Sequence, residues 1–198
     1  MKKAWGSIII VVICLFVVYG CFKGKYNSMV IAEEEVKQAW SQVENVYQRR
    51  MDLIPNLVST VKGYAKHEED VLTKVTEARS KAGGVLQVSD EVLNNPESFE
   101  RFQKAQGELS SALQRLLSVS ESYPDLKANE NFMSLQSQLE GTENRIAVER
   151  KKYNEICTQY NTTIRVFPAS LIANLFGFKE KQYFSAREGA DIAPKVEF

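Results

Sequence analysis

Trp40-Ser41-Gln42-Val43-Glu44-Asn45-Val46-Tyr47-Gln48-Arg49-Arg50-Met51-Asp52-Leu53-Ile54-Pro55-Asn56-Leu57 is the stretch on which the fold turns. Large apolar side chains recur around it at three- and four-residue steps, the spacing that lines one face of an α-helix. Met29, Val36, Trp40, Val43 and Tyr47 form one stripe; Ile54, Leu57, Val61, Tyr64, Val71 and Val75 form the next. Between the stripes sits Arg50-Met51-Asp52, with Pro55 just beyond. A proline ring removes one helix hydrogen bond and crowds the preceding turn, so two structures are open. Either one long helix kinks at Pro55, or one helix ends near Arg50 and another starts with Asp52 as its cap. In the second case Pro55 lies in a first turn, where its missing N–H costs nothing.

The unbroken phase of the stripe favours the kink, whereas length favours the break. Residues 26–50 and 52–81 would make rods of roughly 37 and 45 Å, close to the roughly 42 Å of a helix over Pro96–Tyr123. A single kinked rod would also leave Trp40 and Tyr47 uncovered unless the chain dimerises. The preferred expectation is an all-α chain: an N-terminal transmembrane helix, then an up-and-down antiparallel four-helix bundle of long amphipathic helices. The alternative is three long helices, the first kinked at Pro55.

The other boundaries follow from turn chemistry. Ala82 to Asn95 holds Gly83-Gly84 and ends in Asn94-Asn95-Pro96, so it reads as a loop, with Asn95 capping the next helix and Pro96 at its first position. That helix would bury Phe99, Phe102, Leu109, Leu113 and Leu116. Tyr123-Pro124-Asp125 turns the chain. A last long helix carries Phe132, Leu135, Leu139, Ile146, Tyr153, Ile156, Tyr160 and Ile164, and Pro168 marks its end. Leu171 to Phe178 reads as a short amphipathic turn, either a lid on the bundle end or a second membrane contact. The expected organisation is an anchor over 1–25, a bundle over 26–166 and an amphipathic segment with a tail over 167–198.

The anchor is legible without any motif. After Lys2 and Lys3, Ala4 to Phe22 holds 19 residues with no charge, dense in Ile and Val and about long enough to cross a bilayer as one helix. Cys21 closes Val18-Tyr19-Gly20-Cys21, which looks like a lipoprotein cleavage and lipidation site, although Tyr19 is bulkier than such sites usually accept. Basic residues flank both ends, Lys23 and Lys25 following, with a slight lean towards a cytoplasmic N-terminus and an extracytoplasmic domain.

Charge and chemistry exclude several classes. Twenty-five basic and 25 acidic residues are interspersed, which argues against nucleic-acid binding. Arg150-Lys151-Lys152 reads as a solvated helix face, and Glu33-Glu34-Glu35 as an acidic run near a helix start. The single histidine, His67, has no partner at metal-ligand spacing. Cys157 falls among Tyr153, Ile156 and Tyr160 and reads as a buried, inert thiol. Gly83-Gly84 lacks the pattern of a phosphate loop, and no cofactor is expected. Asn161-Thr162-Thr163 fits a glycosylation sequon. Arg50, Thr142 and Glu149 interrupt the apolar pattern. Arg50 paired inside the bundle with Glu143 or Glu149 would fix register more than add stability; equally, Arg50 would mark an interhelix turn.

Tyr26-Asn27-Ser28-Met29-Val30, the run Ala39 to Arg50, and Asp52-Leu53-Ile54-Pro55-Asn56-Leu57-Val58 closely resemble the LemA family. So do Tyr123 to Asn129, Leu139 to Arg150, Asn161 to Arg165 and the phenylalanine-rich stretch to Phe184. The resemblance implies a bacterial membrane protein with an N-terminal transmembrane helix and a helical-bundle domain. It supplies no established enzymatic activity and no catalytic residues. Relatives include magnetosome-associated proteins, and members are often encoded near membrane peptidases. Cys21 departs from the family pattern.

The expected function is therefore a non-catalytic membrane scaffold, touching lipid through residues 4–22 and other proteins, or a second copy, through its helices. Phe176, Phe178 and Phe198 are the candidate partner contacts, the last as a terminal apolar residue for a backbone nest. A specific adaptor of a membrane protease or envelope-stress system is the runner-up. A hydrolase using Glu143, Glu149 or His67 is the remote alternative.

Overall fold

The computed structural model describes residues 2–65, 67–86 and 89–185. Among them the regular structure is entirely α-helical. The elements are α1 (Lys2–Tyr64), α2 (Glu69–Leu86), α3 (Ser89–Asn94), α4 (Pro96–Ser120), α5 (Pro124–Lys127), α6 (Glu130–Arg165) and α7 (Ala169–Phe176). The chain divides into two compact units. The first comprises residues 1–39 and 155–181, the second residues 40–154 and 182–198.

The expected break near Arg50 does not occur. α1 passes through Pro55 and ends at Tyr64, and the next helix begins only at Glu69. Asp52 is not a cap, and Arg50 marks no turn. The reason lies in the carbonyl that Pro55 orphans. A residue at 55 with an N–H would donate to the Met51 oxygen; proline cannot. Arg79 of α2 takes that place, its Nε donating to the Met51 oxygen at 2.9 Å. A buried carbonyl left bare would cost about 1–3 kcal/mol, so the guanidinium removes the main penalty for continuing the helix.

The kinked-helix alternative is right about continuity at Pro55 but wrong about the segment beyond Tyr64, because α2 is a separate helix. Met51, Ile54, Leu57 and Val61 of α1 belong with Val71, Leu72, Val75, Ala78 and Ala82 of α2 to one buried core. Leu109, Leu113 and Leu116 of α4, with Phe132 and Leu139 of α6, complete it. Trp40 and Tyr47 need no second copy to cover them. Trp40 packs against Phe99, Phe102, Tyr153 and Phe184, and Tyr47 sets its ring edge-on to Phe102.

Gly83-Gly84 is not a loop either. α2 runs through both glycines to Leu86, because its apolar stripe packs along α4 and tertiary burial outweighs two weak helix formers. Neither glycine has a positive φ, and a β-carbon at Gly84 would meet nothing within 4 Å. The Asn95–Pro96 start is observed: the Asn95 side chain accepts from the N–H groups of Glu97 and Ser98. Glu33-Glu34-Glu35 lies in the middle of α1, so no helix dipole accounts for it. Glu33 pairs with Lys181 and Glu34 with Lys37.

No helix, searched over the described residues, is long and apolar enough to cross a membrane. The side chains of residues 2–11 and 18, nearly half of the uncharged run among them, lie outside the described set.

Two substitutions test the roles of Arg79 and Gly84. Arg79→Ala should lower unfolding stability by about 1–3 kcal/mol, and by clearly less in a Pro55→Ala background, where the restored N–H serves Met51. A double-mutant cycle by urea unfolding measures the difference. Gly84→Ala should raise stability by roughly 0.5–1 kcal/mol, read as a shift in the urea midpoint.

Candidate functional site

The helical phase that buries Tyr47, Met51 and Ile54 also drives Arg50 inward, into the second unit, where α1 meets α4 and α6. Its Nη1 donates to Ser110 Oγ of α4 at 2.8 Å and to Glu143 Oε2 of α6 at 2.9 Å. Nη2 donates to the Gln106 side-chain oxygen and, at 3.4 Å, to the Gln106 carbonyl. The guanidinium lies 5.1 Å from the centre of the Tyr47 ring. Arg50 is 1% exposed while the Glu143 side chain is 43% exposed. The cation has been taken out of water and its counterion only half so. Such an arrangement survives when the donors are satisfied by well-placed acceptors.

Beside the cluster opens a cavity of about 630 Å³ whose walls include Gln106, Ser110, Lys104, Glu143 and Arg150. Arg50 Nε and Gln106 Nε2 are buried and have no hydrogen-bond partner. Chemically the site is a cross-link between three helices. Glu143 and Ser110 are both engaged with Arg50 Nη1.

The remaining expected residues are dispersed. Glu149 does not join Arg50; its side chain, 20% exposed, pairs with Lys152 one turn on in its own helix at 3.0 Å. Thr142 is buried but spends its hydroxyl on the Gln138 carbonyl of its own helix at 2.7 Å. His67 is exposed in the turn after α1. Cys157 is buried and Cys21 exposed. Among the described residues, no group of three or more His, Cys, Asp or Glu is placed to hold a metal ion. Phe176 and Phe178 both pack on Tyr26 within the first unit, at 4.8 and 5.8 Å between ring centres. Phe198 lies outside the described residues.

Sequence reasoning missed a second polar system. The chain after α7 has no regular structure from Phe178 to Ser185, and two asparagines of α6 hold it. In the first unit Asn161 accepts from the Lys181 N–H and donates to the Lys181 carbonyl, both at 2.9 Å. Lys181 is itself buried and reaches Glu33 at 2.9 Å. In the second unit Asn154 makes the same pair of bonds to the Phe184 backbone, again at 2.9 Å. Phe184 fills the aromatic cluster around Trp40, and Arg150 lies 4.6 Å over its ring while donating to the Ser185 carbonyl at 2.8 Å. Asn161 is therefore no accessible sequon, and Arg150 is no solvated charge. The seven-residue spacing of the two asparagines was the available signal. Nearby, burial first, then the Glu33 carboxylate and Cys157, hold the Tyr160 phenol far above the ordinary tyrosine range, so it stays neutral.

The LemA family profile matches residues 39–198, which contain every residue of the Arg50 cluster. The chain belongs to the LemA family. It is 27% identical over 182 residues to Magnetosome protein MamQ 2 of Paramagnetospirillum magneticum, covering 84% of this chain and 67% of that one. It is 26% identical over 190 residues to Magnetosome protein MamQ of Magnetospirillum gryphiswaldense, covering 87% and 70%. Protein LemA of Metamycoplasma hominis matches at 24% over 182 residues, covering 91% and 78%.

The cluster makes an ordered prediction. Glu143→Ala leaves a buried cation without its counterion and should cost on the order of 3 kcal/mol. Arg50→Met removes the cation and its desolvation cost, leaving Glu143 free to hydrate, and should cost less. Urea unfolding followed by helical circular dichroism gives the order; the reverse order would mean that packing of the arginine stem dominates.

Proposed function

We propose that this LemA-family chain is a membrane-anchored scaffold that works through protein contacts rather than chemistry. Residues 4–22 enter the bilayer. α1, α2, α4 and α6 act as an up-and-down bundle held outside the cytoplasm, and they bind other proteins or a second copy. The observation that carries the reading is that α1 is one helix from Lys2 to Tyr64. The apolar run thus continues, without a linker, into the helix that supplies Met29, Val36, Trp40 and Ile54 to the buried interior. The Arg50 cluster supports the non-catalytic part, since Arg50 Nη1 and Nη2 and the Glu143 carboxylate are engaged in holding α1, α4 and α6 together.

The test combines extraction and crosslinking. The full chain should stay with membranes washed in alkaline carbonate and be released when residues 1–25 are removed. Crosslinking in intact cells should give species above monomer size. Release of the full chain by carbonate would overturn the anchor; a monomer with no crosslinked neighbour would overturn the scaffold. Intact mass separates the two forms of anchor. A mass beginning at Cys21 with acyl chains means a lipoprotein; the full 198 residues mean a single-pass helix.

A further inference from the structure

α7 buries Ala169, Ile172 and Ala173, yet its other side is not polar. Leu171 and Leu175 are 63% and 72% exposed, and Phe167, just before the helix, is 81% exposed. A helix that merely closes the end of a domain turns polar residues outward; this one has only Ser170 and Asn174 as polar residues and turns Leu171 and Leu175 outward beside them. Contiguous exposed apolar surface of this kind marks contact with something else.

The neighbours of α7 within the first unit indicate what that is. The Phe176 ring lies 6.1 Å from Phe22, the last residue of the uncharged run. Tyr26, one turn further along α1, touches both Phe176 and Phe178. The charges nearby have one sign. Residues 23–32 carry Lys23 and Lys25 and no acid, and residues 166–179 carry Lys179 and no acid. All three lysines are exposed. The first acids beyond them are already engaged, Glu180 with Arg165 at 3.5 Å and Glu33 with Lys181 at 2.9 Å. An apolar face, a tyrosine at its edge and a rim of lysines is the pattern of a helix lying in a bilayer interface with anionic headgroups.

We infer that α7 lies in the interfacial layer of the bilayer that holds residues 4–22, with Phe167, Leu171 and Leu175 facing the acyl chains. Lys23, Lys25 and Lys179 meet the headgroups. The chain then touches the membrane at two points far apart in sequence and adjacent in the first unit. This rests on the anchor reading above, and the test separates the two.

The photoreactive residue p-benzoyl-phenylalanine replaces Leu171 or Leu175, one at a time, in the full chain in bacterial membranes. The same replacement at Leu15 reports on the anchor, and at exposed Glu121 on background. After irradiation, intact mass distinguishes phospholipid adducts from protein adducts. Lipid adducts at Leu171 and Leu175, as at Leu15, with none at Glu121, are the expected result. Lipid at Leu15 but only protein adducts, or none, at Leu171 and Leu175 would overturn the interfacial helix and leave the anchor standing. No lipid adduct at Leu15 would overturn the anchor and this inference with it.

Discussion

A buried guanidinium sets the terms for the second unit. Arg50 can be in the interior only if acceptors from α4 and α6 arrive together, and Ser110, Gln106 and Glu143 do so. A slip of α6 by one turn would carry Glu143 about 5.4 Å away and strand the charge. The cluster therefore weighs less as a source of stability than as a penalty on every wrong alignment of α1, α4 and α6. Apolar stripes tolerate small slips; a buried cation does not.

The same logic recurs wherever the backbone lacks a partner. Pro55 cannot donate, so Arg79 donates to Met51 in its stead. The chain after α7 lies outside any regular element, so asparagine amides, each using one N–H and its oxygen, pair with the backbone of Lys181 and Phe184. Polar side chains here complete an all-helical backbone rather than form a reaction centre.

These internal uses bear on function by elimination. Arg50, Glu143, Lys181 and Asn161, which in isolation resemble site residues, are all occupied within the chain. Exposed apolar surface remains, among the described residues, at Val12 to Val17 of the N-terminal run and at the outward leucines of α7.

Much was determined by sequence alone. The apolar periodicity dictates helices, Asn95-Pro96 dictates where α4 starts, and the absence of charge from Ala4 to Phe22 dictates an apolar N-terminal segment. All are local effects, decided by neighbours a few residues away. Whether α1 survives Pro55 is not local, because it depends on Arg79, 24 residues further along the chain. Gly83-Gly84 stays helical because α4 packs against α2, and Asn161 is a clamp rather than a sequon because Lys181 folds back on it. Only tertiary structure decides such cases, since a residue's cost in one element is cancelled by a partner that sequence distance hides.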